Sequence, residues 1–414
     1  MFYRTGLALL YIIGVGFGVT AHENGRTVSK ELFSSLEELS RLVDIAYCVS
    51  TTGVQEPFQC LSHCAEFPDM ELITTWNTGI LLSDSCGYIA VSHKAGAERI
   101  ILAFRGTYSI TNTIIDLSAI PQAYVPYTGE EDGPEGNTKS HTKCENCTVH
   151  AGFLKSWINT RSTILPVLSE TKLKYPNYSI SLVGHSLGGA VAALAGLEMK
   201  LKGMEPTVTT FGEPMIGNEE FGKFLNENFQ LDEQHSPDDT HSFRRVTHIN
   251  DPVPLLPLQE WGYAPHAGEI FISKPDLSPS VSDIQFCTGD KDSSCISGSE
   301  KPKVLPWLSR EAQFSLSKDE KKPCSSGDVG QFGSEGSEFV QQEKCGTTSE
   351  ETETTWSSSR SSSQKQTPLH ARWDWSLIPA RYHLWELFHA HRDYFWRIGL
   401  CVPGGDPTGF ATDW

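Results

Sequence analysis

Residues 184–189 read Gly184-His185-Ser186-Leu187-Gly188-Gly189, and they lie between two apolar stretches of different kind. Tyr178 to Val183 reads as a strand, and Leu187 to Leu201 as an alanine-rich helix. A serine flanked at two before and two after by glycine, where a strand turns into a helix, is the pattern of a nucleophile elbow. The turn is so tight that it pushes the serine hydroxyl out above the sheet. The two glycines fit because a Cβ there would meet other backbone. The helix behind also aims its positive end at any anion that develops. An ordinary glycine turn is the alternative, since the bare pattern occurs by chance; the strand–helix setting favours the elbow.

The surrounding chain supplies the sheet such an elbow needs. Leu32, Leu36, Leu39, Leu42 and Val43 recur at helical spacing between Glu31 and Ala46. Residues 86–104 read as two strands around a turn, and Ile100 to Phe104 is apolar throughout, as expected of a strand buried on both faces. Phe153 to Tyr175 reads as a helix with a kink expected at Pro166. Thr207 to Phe211 and Arg245 to Ile249 read as further strands. Alternating strands and helices predict an α/β protein with a mostly parallel sheet covered on both faces; the elbow set in such a sheet points to the α/β-hydrolase fold.

A serine nucleophile requires a base and a carboxylate that orients it, and in this fold the acid and the histidine follow the serine in the chain. Asp251 stands just beyond the strand ending at Ile249 and just before Pro252. A plain Asp-Pro turn is the other reading of that pair. Asp84 and Asp116 precede the serine and are poorer candidates. Five histidines follow Asp251: His266, His370, His383, His389 and His391. Physical reasoning on the sequence does not separate the last three.

Several motifs together resemble the fungal class 3 lipases, a family of secreted triacylglycerol lipases and feruloyl esterases. They are Ala46-Tyr47-Cys48, Phe104-Arg105-Gly106-Thr107, Cys144-Glu145-Asn146-Cys147, His150-Ala151-Gly152-Phe153 and the elbow itself. Phe211-Gly212-Glu213-Pro214-Met215-Ile216-Gly217-Asn218, His248-Ile249-Asn250-Asp251-Pro252 and the run from His391 to Cys401 complete the set. The resemblance covers residues 32–275 and 389–401. It implies Ser186, Asp251 and His391 as the catalytic residues, because the family's histidine stands ten residues before its last half-cystine. It implies the backbone N–H groups of Thr107 and Leu187 as the oxyanion hole; the latter follows the nucleophile, as the elbow also demands. It further implies the disulfides Cys48–Cys401, Cys60–Cys64 and Cys144–Cys147. Proximity suggests Cys287–Cys295 and Cys324–Cys345, leaving Cys86 as a strand cysteine. Zinc is the competing reading of the Cys144–Cys147 pair, but no second such pair supports it; neither a metal nor a cofactor is expected.

Past Thr107, Ile110, Ile114 and Leu117 fall on one side of a short helix with Ile115 beside them, the pattern of an apolar lid over an acyl groove; an ordinary surface helix packed permanently on the core is the alternative. The expected partner is therefore an acyl-lipid or ester substrate at a lipid–water interface. Oligomeric state is not legible.

The formal net charge of −18 argues against nucleic acid as a partner. Residues 1–21 read as a signal peptide, with a positive start, a short apolar run and small residues before His22. No other run is long and apolar enough for an integral membrane span. The 11 cysteines fit an oxidising, extracellular location. Asn146 and Asn177 then become glycosylation acceptors, in Asn-Cys-Thr and Asn-Tyr-Ser. Residues 22–296 are expected to hold the main part of the hydrolase domain. Residues 297–366, rich in Ser, Glu, Lys and Gly, read as an insertion unable to build a core. Residues 367–414 turn aromatic again and return to the domain with the histidine. The expected activity is ester hydrolysis on acyl lipids, a triacylglycerol lipase. The rivals are a feruloyl esterase of the same fold and an inactive secreted binding protein.

Overall fold

A computed structural model describes residues 26–79, 84–107, 121–126, 144–231, 241–298 and 389–402. These residues all belong to one folded unit of the chain. The proposed lid residues Ile110, Ile114, Ile115 and Leu117, the signal peptide, nearly all of the proposed insertion, His370, His383 and the Cys324–Cys345 pair lie outside them.

Helix α1 (Lys30–Ala46) opens on Ser29, whose hydroxyl accepts from the Leu32 N–H at 3.0 Å. Strands β1 (Met70–Asn77), β2 (Cys86–Ser92) and β3 (Arg99–Phe104) follow, then the short β4 (Pro121–Ala123) and β5 (Thr148–His150). Helix α2 (Ala151–Lys174) leads to β6 (Ser179–His185), α3 (Leu187–Leu201), β7 (Pro206–Phe211) and α4 (Glu219–Phe229). The last strands are β8 (Phe243–His248), β9 (Glu269–Ile272) and β10 (Ile284–Phe286). The helix expected around Pro166 runs through it as a single element.

Eight strands form one sheet in the order β1-β2-β3-β6-β7-β8-β9-β10. Neighbours from β3 to β9 are parallel, while β1-β2-β3 and β9-β10 are antiparallel. The fold is thus the α/β-hydrolase type, with a mostly parallel sheet. Strand β1, with half-exposed residues in its middle, had no clean alternation and was not expected from the sequence. The short strands β9 and β10 were missed for want of length.

Helix α1 covers one face of the sheet and buries Leu36, Leu42 and Ile45 against Tyr88, Ala90, Ile101, Ala103 and Val183. Helix α3 packs against β3, β6 and β7, and every residue from Leu187 to Met199 is buried. Apolar character all round the helix matches that burial. Its alanines and Gly196 let it come close: a Cβ on Gly196 would overlap the Val208 side chain.

Residues 389–402 contribute no long element and are tied in at several points. Cys401 is joined to Cys48 just past α1. The Gly399 N–H donates to Asp44 Oδ1 at 2.7 Å, and Arg392 Nη1 donates to the Gly399 carbonyl at 2.8 Å. Phe395 packs edge-on against Phe33, with ring centroids 5.3 Å apart.

Candidate active site

The C-terminal ends of the parallel strands gather the chemistry, as ligand sites in open α/β sheets do. Strand β6 ends at His185, and Ser186 follows with φ 58° and ψ −130°. A non-glycine residue in that conformation is strained and persists only where the surroundings over-determine it. The surroundings here are backbone. A Cβ on Gly184 would run into the Gly188 carbonyl, and one on Gly188 into the carbonyls of Phe104 and Arg105. Gly106, past the end of β3, lies so close that a Cβ on it would stand 2.8 Å from the Ser186 Cβ. Thr107 is therefore next in the chain to a residue that touches the serine. Leu187 opens α3, so its N–H belongs to the first turn, which has no intrahelical acceptor.

Asp251 lies three residues past β8 and its side chain is fully used. The His391 Nδ1–H reaches both of its oxygens at 2.9 Å. Tyr394 Oη donates to Oδ2 at 2.5 Å, and the Val253 N–H donates to Oδ1 at 2.9 Å. Burial, followed by the Asp251 charge, pushes the Tyr394 hydroxyl well above its usual range, so it stays a donor. Since Nδ1 of His391 carries a hydrogen toward the carboxylate, Nε2 is left as the basic nitrogen. Among the described residues, His391 Nε2 and Ser186 Oγ are both buried with no hydrogen-bond partner. A buried polar atom without a partner is costly, and a catalytic role is one explanation for it.

Gly212, past the end of β7, closes the arrangement. It has φ +59°, and a Cβ on it would stand 2.8 Å from Tyr394 Oη, 2.9 Å from Asp251 Oδ2 and 2.9 Å from His391 Cε1. Only glycine leaves room for that trio.

The other sequence candidates go elsewhere. His266 Nε2 faces Glu213 Oε1 at 2.8 Å, in the core. The carbonyl of His389 accepts from the N–H groups of Arg392 and Asp393, turning the chain just ahead of His391. Asp84 precedes β2, and its carbonyl accepts from Ser156. Cys144–Cys147 is closed as a disulfide, as are Cys60–Cys64 and Cys287–Cys295, so none of these sulfurs is a thiolate. Cys86 is free and buried at the start of β2. Asn146 and Asn177 are both exposed. Among the described residues no group of three or more His, Cys, Asp or Glu is arranged to hold a metal, and no helix is long and apolar enough to cross a membrane. Tyr394, Gly212 and Tyr47 were not foreseen as parts of the site, although each stands inside a motif that the sequence singles out.

A sheet of this topology with a serine on a strained strand–helix elbow defines an α/β-hydrolase. Comparison with known proteins narrows the class. Residues 101–261 match the family Lipase (class 3). "Lipase A" of Sodiomyces alcalophilus is 48% identical over 426 aligned residues, spanning 99% of this chain and 91% of that one. "Secreted mono- and diacylglycerol lipase 2" of Gibberella zeae is 47% identical, spanning 94% of this chain and 85% of that one. Among solved structures, the Lip2 lipase of Yarrowia lipolytica superposes with a TM-score of 0.59 at 33% identity, covering 66% of this chain and 90% of that one. The chain belongs to the class 3 lipase family. It is a lipase, a hydrolase of carboxylic esters.

Proposed function

We propose that this chain is a secreted acylglycerol lipase that works through an acyl-enzyme on Ser186. One observation carries the reading: a strained, buried serine and an imidazole held at Nδ1 by a buried carboxylate share one sheet edge. Ser186 Oγ attacks the ester carbonyl carbon while His391 Nε2 takes the hydroxyl proton. The same nitrogen returns that proton to the departing glycerol oxygen as the C–O bond breaks. A water molecule, deprotonated in turn by Nε2, then attacks the acyl carbon; the fatty acid leaves and Ser186 regains its hydrogen. Asp251 holds Nδ1–H and stabilises the imidazolium in both halves. The N–H groups of Thr107 and Leu187 take the charge of the tetrahedral oxygen, and losing one such donor costs about 2.7–4 kcal/mol.

Mono- and diacylglycerols are the substrates we assign first, because the Gibberella relative is named for them. Triacylglycerol is the alternative, and hydrolysis of the three glyceride classes side by side separates them. The relatives named secreted lipases, together with the disulfides, support an extracellular location and cleavage of residues 1–21. In the same reading, residues 108–117 form the lid, residues 297–366 are an insertion dispensable for chemistry, and Asn146 and Asn177 carry glycans. Ser186→Ala is expected to lower ester hydrolysis by roughly 10⁶-fold while the protein still folds. Mass spectrometry after fluorophosphonate treatment should find the adduct on Ser186. An adduct elsewhere, with activity kept in the alanine variant, sinks the assignment. Alanine at His383, His389 and His391 in turn tests the base, and only the last should abolish turnover.

A further inference from the structure

The residue between Gly184 and Ser186 is not specified by elbow geometry, since only the two glycines answer to steric need. Here it is a histidine with 2% of its surface exposed, and both of its ring nitrogens are engaged. His185 Nε2 lies 2.8 Å from the carbonyl oxygen of His391. A carbonyl only accepts, so Nε2 carries the hydrogen and Nδ1 of the neutral ring must accept. Tyr47 Oη lies 2.6 Å from Nδ1 and supplies the proton for that bond. Having donated its single hydrogen, the Tyr47 oxygen accepts from the Gly106 N–H at 3.1 Å. The directions are consistent along the whole path, from Gly106 through Tyr47 and His185 to the His391 backbone.

We infer that Tyr47 and His185 are a positioning relay, which sets the Gly106–Thr107 strand end and the His391 main chain against Ser186. The inference rests on the Ser186–His391–Asp251 reading above and extends it to two residues that touch none of the reacting atoms. Four distant pieces of the chain meet through it: the end of α1, the end of β3, the elbow, and the closing segment. Gly106 is where the relay reaches the oxyanion side, since it stands against Ser186 and precedes Thr107. His391 is where it reaches the base side. Its backbone is held by His185 while its ring is held by Asp251, so the ring is fixed at both ends.

The identity of the relay residue also matters for charge. The His185 and His391 rings are 4.6 Å apart between centroids, and His391 becomes an imidazolium in each half of the reaction. A second cation at that distance would oppose the proton transfer. Burial first, and the His391 charge second, push the His185 pKa well below its usual value, so His185 stays neutral. Burial likewise pushes the Tyr47 hydroxyl upward, keeping it a donor. The relay therefore supplies rigid hydrogen bonds without adding a charge beside the base.

The test removes one oxygen. Tyr47→Phe keeps the ring and its packing but leaves His185 Nδ1 without its donor and Gly106 without its acceptor. Activity on a dissolved short-chain ester is measured per active site, titrated with fluorophosphonate, along with the rate of phosphonylation itself. With both of these positioning hydrogen bonds lost, kcat and the phosphonylation rate are expected to fall together, about tenfold. KM should stay within about twofold, because no substrate contact is lost. A purely structural tyrosine would lower the melting temperature and leave kcat per titrated site unchanged, and that result overturns the relay. His185→Gln and His185→Leu give the second arm. The glutamine amide still donates toward the His391 carbonyl and should retain several-fold more kcat than leucine; equal values overturn the relay. This arm decides alone should Tyr47→Phe fail to fold. If the wild-type enzyme is not labelled on Ser186, the underlying site assignment fails; if it is labelled and the variants match it, only the relay does.

Discussion

Ser186 and the glycines that shape its turn lie within six consecutive residues, whereas His391 reaches the same sheet edge 140 residues beyond Asp251. The nucleophile side is a local object. Its tightest neighbours are main-chain carbonyls: Gly188 in α3, Phe104 at the end of β3 and Arg105 just past it. The base side is assembled from far-apart pieces by side chains: the Cys48–Cys401 bridge, the Asp44–Gly399 bond, the Tyr394–Asp251 bond and the His185–His391 bond. Gly212, the glycine nearest the His391 ring, faces side-chain atoms rather than backbone. One half of the site is therefore rigid by sterics and the other by cross-linking, and the two should fail differently.

Gly188→Ala attacks the rigid half and has the largest expected effect. The new Cβ meets two carbonyl groups, so the elbow or the end of β3 must shift. We expect no measurable esterase activity and a stability loss of about 3 kcal/mol, read by denaturant titration. Near-normal activity would remove the claim that backbone packing shapes the elbow.

Gly212→Ala is the matching change on the other half. Here Tyr394, Asp251 and His391 side chains can give way, although the positive φ adds strain. A folded protein is expected, with kcat lowered roughly 10²-fold by displacement of His391. If this variant proves as damaged in folding as Gly188→Ala, the two halves are not built differently.

Cys401→Ser opens the bridge that closes the base side. The bridge spans 353 residues, and removing such a link typically costs 2–5 kcal/mol. Fluorophosphonate labelling of Ser186 should slow in mild denaturant well before the sheet unfolds by circular dichroism. Coincident loss of both signals would place the bridge in the general stability of the fold rather than in the base side.

The smallest expected effect is on pH dependence. His185 and His248 are pushed below their ordinary value, in each case mainly by burial. The unfolded chain therefore takes up their protons below about pH 6.5 while the folded protein does not. Stability should fall as pH drops from about 6.5, and His185→Gln should flatten that slope. Asp44, pushed up by burial, acts in the opposite sense, so the His185 share is the difference between the two slopes. Identical slopes for wild type and variant from thermal melts would contradict the assignment.

These contrasts explain what was legible beforehand. Apolar runs and helical spacing are local signals, and they marked α1, β2, β3, α2, β6, α3, β7 and β8 to within a few residues. Strand β1 escaped because its outward residues are mixed, and β9 and β10 because three or four residues carry no period. Asp251 was legible as a carboxylate after a strand. The histidine was not, and only the likeness to a family of lipases singled out His391 from its neighbours.

By itself, then, the sequence determined the elbow, the class of sheet that carries it and the place of a carboxylate just past one of its strands. Each depends on hard-sphere contacts or periodicity among residues close in the chain, and those constraints hold wherever the segment lies. The tertiary structure alone decided that Tyr394 and Gly212 complete the setting of the Asp251–His391 pair, and that Tyr47 and His185 join the end of β3 to the His391 backbone. Those contacts join residues up to 206 positions apart. No local rule specifies such a pairing, because it exists only once the sheet, the helix before it and the cross-linked closing segment have been brought to one edge.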